Sequence, residues 1–138
     1  MSINWGPPAH NFVAEYQQSS IPFVTSSVTN EVGGSSPVRI TFPYVTRWIT
    51  VHNKNKTLGD TIRFGFTSNG VKGVGGRHYF ELDGAETTQR LEVKCKEIWF
   101  LADDNSKPCG FTLLAGLTNV PAESFPIISG SDGVEGVG

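Results

Sequence analysis

The residue types able to bind a metal or drive catalysis are few and widely spaced in this chain. His10, His52 and His78 show no HxH or HxxxH spacing, and Cys95 and Cys109 form no CxxC pair. Zinc sites draw their ligands from such close pairs, so the pattern reads as unrelated polar histidines. The glycine-rich stretch 70–76 (GVKGVGG) invites comparison with a phosphate loop. It lacks the GK[ST] ending, and a strand follows where a helix N-terminus would be needed to hold phosphate. No serine sits in a G-x-S-x-G elbow. Asp83, Glu86, Asp103 and Asp104 fall in turn-like stretches, where carboxylates are expected for backbone reasons. An enzyme of the cupin kind needs clustered His and Glu ligands, and none is clustered here. The expectation is a protein that is not an enzyme and has no cofactor and no metal.

Two cysteines allow one disulfide at most. Cys95 shares side-chain parity with Leu91 and Val93 and reads as a small buried hydrophobe, so two reduced thiols in an intracellular setting are expected. Asn55-Lys56-Thr57 matches the glycosylation sequon, which matters only in a secreted protein. The chain has 138 residues, 38% apolar and 17% charged, with a formal net charge of −2. That composition is globular, and it offers no global field that would attract a polyanion. Lys54 with Lys56, and Lys72 with Arg77, read as solvated loops, so no direct nucleic-acid contact is expected. The longest uninterrupted apolar run, 98–102, is far short of the ~20 residues of a membrane helix. No basic start followed by an apolar run marks a signal peptide. Membrane insertion and export by the usual route are not expected.

The elements that would position any site follow a period of two. Val38, Ile40 and Phe42 alternate with Arg39 and Thr41; Ile62, Phe64 and Phe66 alternate with Arg63 and Gly65; Phe111, Leu113, Ala115 and Leu117 form another such face. Further strands are expected at 23–29, 44–53, 78–82 and within 88–103. Over 44–53 the parity places Arg47 on the same face as Val45, Ile49 and Val51, which is awkward and points to a strand end or an interface. Over 88–103 the apolar parity flips after Cys95, so a bulge or turn is required near Lys96-Glu97. Residues 67–77 read as a loop, with Asn69-Gly70 favouring a left-handed turn.

About eight short strands with turn signals every 8–12 residues predict an all-β fold. Two packed antiparallel four-stranded sheets would accommodate them, as in a single jelly roll over 21–120. An N-terminal arm would precede it over 1–20, and a flexible Gly/Ser-rich tail would follow over 121–138. Trp48 and Trp99 lie within strands, and each is either a core aromatic or the anchor of a subunit interface, where Trp is enriched. Arg47, Trp48 and Trp99 are therefore the candidate interface residues.

Several runs carry a family likeness. ITFPYVTRWI at 40–49, IRFGFTSNGV at 62–71 and LLAGLT at 113–118 resemble the penton, or vertex capsid, protein of nucleocytoplasmic large DNA viruses. YFEL at 79–82 and EIWF at 97–100 fit the same pattern. The likeness spans roughly 36–120 and consists of packing and turn motifs without a catalytic signature. It implies a single jelly roll, a homopentamer at each icosahedral vertex, and major and minor capsid proteins as partners. It also implies a place at the capsid vertex of the virion, with assembly in the host cytoplasm. The alternative is a virion-surface β-sandwich that binds a glycan or receptor, which exposed aromatics on loops would favour.

Overall fold

The computed structural model describes residues 20–28, 31–74, 76–128 and 136–137. Among them the chain is all-β apart from one short helix and a 3-10 turn at Ala122–Ser124. The strands are β1 (Ile21–Ser26), β2 (Val38–Thr41), β3 (Tyr44–Asn53), β4 (Ile62–Gly65), β5 (Phe80–Leu82), β6 (Glu97–Ala102) and β7 (Phe111–Pro121). They form two antiparallel sheets, one in the order β1-β7-β3 and the other in the order β2-β6-β4-β5.

The period-two faces predict which side chains meet. Ile49 and Val51 of β3 and Leu113, Ala115 and Leu117 of β7 point inward from the first sheet. Ile62 and Phe64 of β4 and Ile98, Phe100 and Ala102 of β6 point inward from the second, and all belong to one core. The rings of Phe100 and Phe111 stack across the layers, with centroids 3.9 Å apart and planes 7° from parallel. Cys95 lies in this core, as its parity predicted.

Of the two expected four-stranded sheets, β2-β6-β4-β5 is regular and the first sheet is so only in part, its fourth member lying beside β3. Residues 88–95 are not a continuous strand; the chain from Glu86 to Cys95 follows the outer edge of β3 through isolated contacts. Ile49 and Leu91 exchange both backbone bonds, at 2.9 and 2.8 Å, and Thr88 N–H donates to the Val51 carbonyl at 2.8 Å. Two positions turn to side chains: Thr88 Oγ1 accepts from Val51 N–H at 3.0 Å, and Thr46 Oγ1 accepts from Cys95 N–H at 2.9 Å. Side-chain acceptors replace the ladder here, so the alternation survives without a regular strand. The parity flip is resolved by a bend at Lys96, after which β6 begins.

With this edge segment as the sixth of eight, the pairing has a simple rule. First pairs with last (β1 with β7), second with second-last (β2 with β6), third with the edge segment, and fourth with fifth (β4 with β5). Among the described residues these pairs nest one inside the other across the two sheets.

Two local expectations are corrected. Residues 67–77 are not all loop, because Ser68–Lys72 form a single-turn helix, α1. Thr67 caps it by accepting from Gly70 N–H at 2.9 Å. Asn69 and Gly70 are helical rather than a left-handed turn; the left-handed position falls at Gly73 (φ 81°), whose N–H bonds back to the Asn69 and Gly70 carbonyls. Val71 is fully buried, so α1 is held by packing more than by propensity.

The second correction concerns Arg47. The β3–β7 register pairs Thr46 with Leu117 and Trp48 with Gly116, so β3 advances two residues while β7 advances one. Arg47 is the extra residue of a β-bulge. Its neighbours Val45, Thr46 and Ile49 are fully buried, and Thr46 takes the inward place that strict alternation gave to Arg47. A charged residue in an apolar parity was the sequence signature of the bulge.

The expected arm at 1–20 lies outside the described residues except for Ser20, and of the expected tail only 121–128 and 136–137 are described. Within that part the Val137 carbonyl accepts a 2.6 Å hydrogen bond from Thr67 Oγ1.

Candidate functional site

The two candidate tryptophans lie on opposite outer faces, because each neighbours an inward residue of its own strand: Ile49 in β3 and Ile98 and Phe100 in β6. They do not form one cluster. Trp48 lies across Gly116 of β7, where an added Cβ would collide with the indole nitrogen and with Ser20. Glycine at 116 is thus required by close approach. Beside it, Val24 is paired with Leu114 and Leu114 with Thr50, all on the outward parity of the first sheet. Val24 is 70% exposed and Leu114 39% exposed. Among the described residues Val24 and Leu114 form an exposed apolar strip beside the half-buried Trp48, and it ends at β1, whose sequence IPFVTS carries no charge. Leu114 was legible as an outward leucine between inward Leu113 and Ala115; Val24 was masked by a stretch of uniform β-branched composition.

Trp99 lies on the outer face of the second sheet, paired in register with Arg39 on one side and Gly65 on the other. The Arg39 guanidinium stands 5.6 Å from the Trp99 ring centroid and forms an ion pair with Glu97. The Trp99 indole N–H is shielded from solvent and has no hydrogen-bond partner among the described residues. A buried donor without an acceptor is costly.

A pair of clefts flanks β5. One of about 470 Å³ opens between β5 and the edge segment, with Phe80, Leu82 and Leu91 in its wall and Glu81 and Glu86 at its rim. The other, of about 330 Å³, lies between the end of β4 and the loop leading to β5. Phe66, Arg77, His78, Tyr79 and Phe80 line it. Phe80 stands in both walls and is 58% exposed. These aromatics come from turn and loop positions as well as strands, a placement sequence periodicity does not reveal.

The remaining groups are structural. Both cysteines are free and buried. Burial pushes the Cys95 thiol up to about 12 and the Cys109 thiol up to about 11, so both are protonated at neutral pH and poor nucleophiles. Asp83 accepts from Gly59 and Gly84 N–H, and Asp104 from Ser106 N–H and Oγ; these bonds hold both carboxyls below the usual range. Asn55 of the sequon is buried, with its amide nitrogen 3.0 Å from the Pro108 carbonyl, so the folded chain does not present it to a glycosylating enzyme. His52 bonds to Thr87 at 2.6 Å, while His78 sits in the smaller cleft. Among the described residues no three His, Cys, Asp or Glu side chains converge as a metal site, and no helix is long and apolar enough to cross a membrane.

Compared with family models, with curated proteins and with solved structures, the chain matches none.

Proposed function

We propose that this chain is a structural capsid protein that closes the fivefold vertices of an icosahedral large DNA virus. Its fold is read as a single jelly roll, supported by the first-with-last pairing order and by the edge segment, sixth in chain order, completing a set of eight. A jelly roll wraps a long hairpin over two layers in just this order. The observation that carries the assembly reading is the apolar strip of Val24 and Leu114 beside Trp48, exposed among the described residues and running to β1, an edge strand there. Pro22 limits strand addition at that edge, so the apolar outer face rather than the open ladder is what a neighbouring subunit would cover.

Five copies related by rotation meet through heterologous contacts, one patch against a different one. In this reading Trp48 with the strip forms one patch. Trp99, with its Arg39–Glu97 neighbours, forms the other. Arg47, at the bulge beside Trp48, borders the first. Major and minor capsid proteins surround the homopentamer in the virion after assembly in the host cytoplasm. The subunit itself makes no direct nucleic-acid contact and inserts into no membrane.

Native mass spectrometry of the full chain tests this. A subunit of 15.0 kDa is expected to give a species of about 75 kDa, five times that mass, and Val24→Asp is expected to shift it towards monomer. A wild-type chain that stays monomeric up to about 1 mM, the range of the weakest specific contacts, and never joins a shell with the major capsid protein would refute the proposal.

A further inference from the structure

We infer that the cleft beside Tyr79 is a binding site for carboxylated sugars. This inference is independent of the capsid reading, since it rests on the local build of the loop from Gly76 to Tyr79.

That loop lies unusually close to its support. A Cβ at Gly65 would stand 3.0 Å from the His78 carbonyl oxygen, and one at Gly76 would overlap the His78 imidazole. Gly76 also has a φ of 147°, which side-chain-bearing residues rarely adopt. A Cβ at Gly70 would collide first with the Val137 carbonyl and Thr67 Oγ1 and then approach the His78 carbonyl at 3.0 Å, so Gly65 and Gly76 admit His78 at close range while Gly70 admits both His78 and Val137. The consequence is a fixed wall: Tyr79 follows His78 directly, and its ring is held from one side by the Arg63 guanidinium, 4.3 Å from the ring centroid. Arg63 is anchored in turn by Asp103 at 2.7 Å and by the Val71 carbonyl at 3.3 Å. Phe80 forms the adjoining wall, its ring 5.5 Å from Phe64 beneath it. A ligand would find these rings already placed, which spares the ordering cost that usually erodes affinity.

The rim decides the chemistry of the ligand. Among the described residues the arginine ion pairs are those of Arg39, Arg63 and Arg90. Arg77 is exposed and takes part in none of them. Its guanidinium makes this part of the rim cationic in a chain of net charge −2. A guanidinium fork matches a carboxylate with two parallel hydrogen bonds. Aromatic walls accept the apolar C–H face of a pyranose, and the open side leaves its hydroxyls in water. The volume of about 330 Å³ is at the small end of ligand clefts, which suits a single sugar unit. A nucleotide fits less well. Phosphate would need free backbone N–H groups, but those of Gly70 and Val71 at the start of α1 already bond to Thr67.

Amide NMR titration of the full chain with methyl glucuronide, N-acetylneuraminic acid, methyl glucoside and inorganic phosphate tests the site. Both acidic sugars are expected to shift the amides of residues 76–80, with the neutral glucoside at least tenfold weaker. Arg77→Gln, an exposed substitution whose spectrum otherwise superposes on wild type, is expected to abolish that tenfold preference, equivalent to about 1.4 kcal/mol. Phe80→Ala is expected to weaken both acidic sugars. Shifts confined to other residues, equal binding of the neutral glucoside, binding of phosphate alone, or an unchanged preference in Arg77→Gln would each overturn the inference.

Discussion

Replacing Phe100 with alanine is expected to destabilise the fold by about 3–5 kcal/mol, the range for truncating a buried aromatic. Phe100 is fully buried in β6, and its ring stacks on Phe111 at the start of β7 in the opposite sheet. It also lies 6.4 Å from Phe64 of β4. The ring thus fills the space between the two layers, and its removal leaves a cavity bounded by strands that cannot simply collapse. A typical domain has only about 5–15 kcal/mol of total stability, so the variant should unfold at much lower urea. Phe100→Leu, which keeps most of the volume, should lose clearly less. Urea denaturation monitored by circular dichroism gives both values. A loss below about 1 kcal/mol for the alanine variant would mean that the layers do not share a core at this point.

Asn53→Ala is expected to have an effect of similar size through a different mechanism. Asn53 is fully buried at the end of β3. Its amide nitrogen donates to the Asp60 carbonyl at 2.7 Å and the Leu82 carbonyl at 3.1 Å, and its side-chain oxygen accepts from Asn55 N–H at 3.0 Å. One side chain therefore ties the end of β3 to the following loop and to the end of β5. Truncation strands up to three backbone groups, each worth about 1–3 kcal/mol when left unpaired in the interior. Water entering the gap would offset part of this, so about 3–4 kcal/mol is the expected total. Asn53→Asp isolates the cause. It keeps the shape but replaces the donor by an acceptor facing two carbonyls, and it should destabilise at least as much at neutral pH. An aspartate variant as stable as wild type would show that these bonds contribute little.

Asn53 and Arg47 show where the sequence was legible and where it was not. Alternation predicted the strands at 38–42, 44–53, 62–66 and 111–117, because one buried face imposes a period of two. Arg47 broke that period, and the break was informative: the bulge lies there. The role of Asn53 was not legible, because nothing local distinguishes a buried, fully bonded asparagine at a strand end from a solvated one. The helix α1 was not readable, since five residues containing Gly70 have weak intrinsic preference and depend on Val71 finding a buried place. Residues 88–95 showed the alternation of a strand but lack its ladder, because Thr46 and Thr88 side chains accept bonds that backbone carbonyls would otherwise take.

The surfaces were legible only in part. Trp48 and Trp99 could be named as either core aromatics or interface anchors, yet their half-burial on opposite faces required knowing which strand neighbours point inward. The cleft beside Tyr79 had no local signature at all. It exists because Gly65 and Gly76 let His78 approach and Gly70 admits both His78 and Val137, which is a tertiary pattern.

The pairing of the first strand with the last underlies both the fold and the assembly proposal, and a cross-strand disulfide tests it most directly. Val24 and Leu114 stand opposite each other on β1 and β7 with both side chains exposed, and the buried thiols of Cys95 and Cys109 should not compete under mild oxidation. The double variant Val24→Cys, Leu114→Cys should form one intramolecular bridge, identified by peptide mapping, and unfold at higher urea than its reduced form. Failure of residues 24 and 114 to cross-link within one chain, or bridging only after denaturation, would contradict the wrapped-hairpin order.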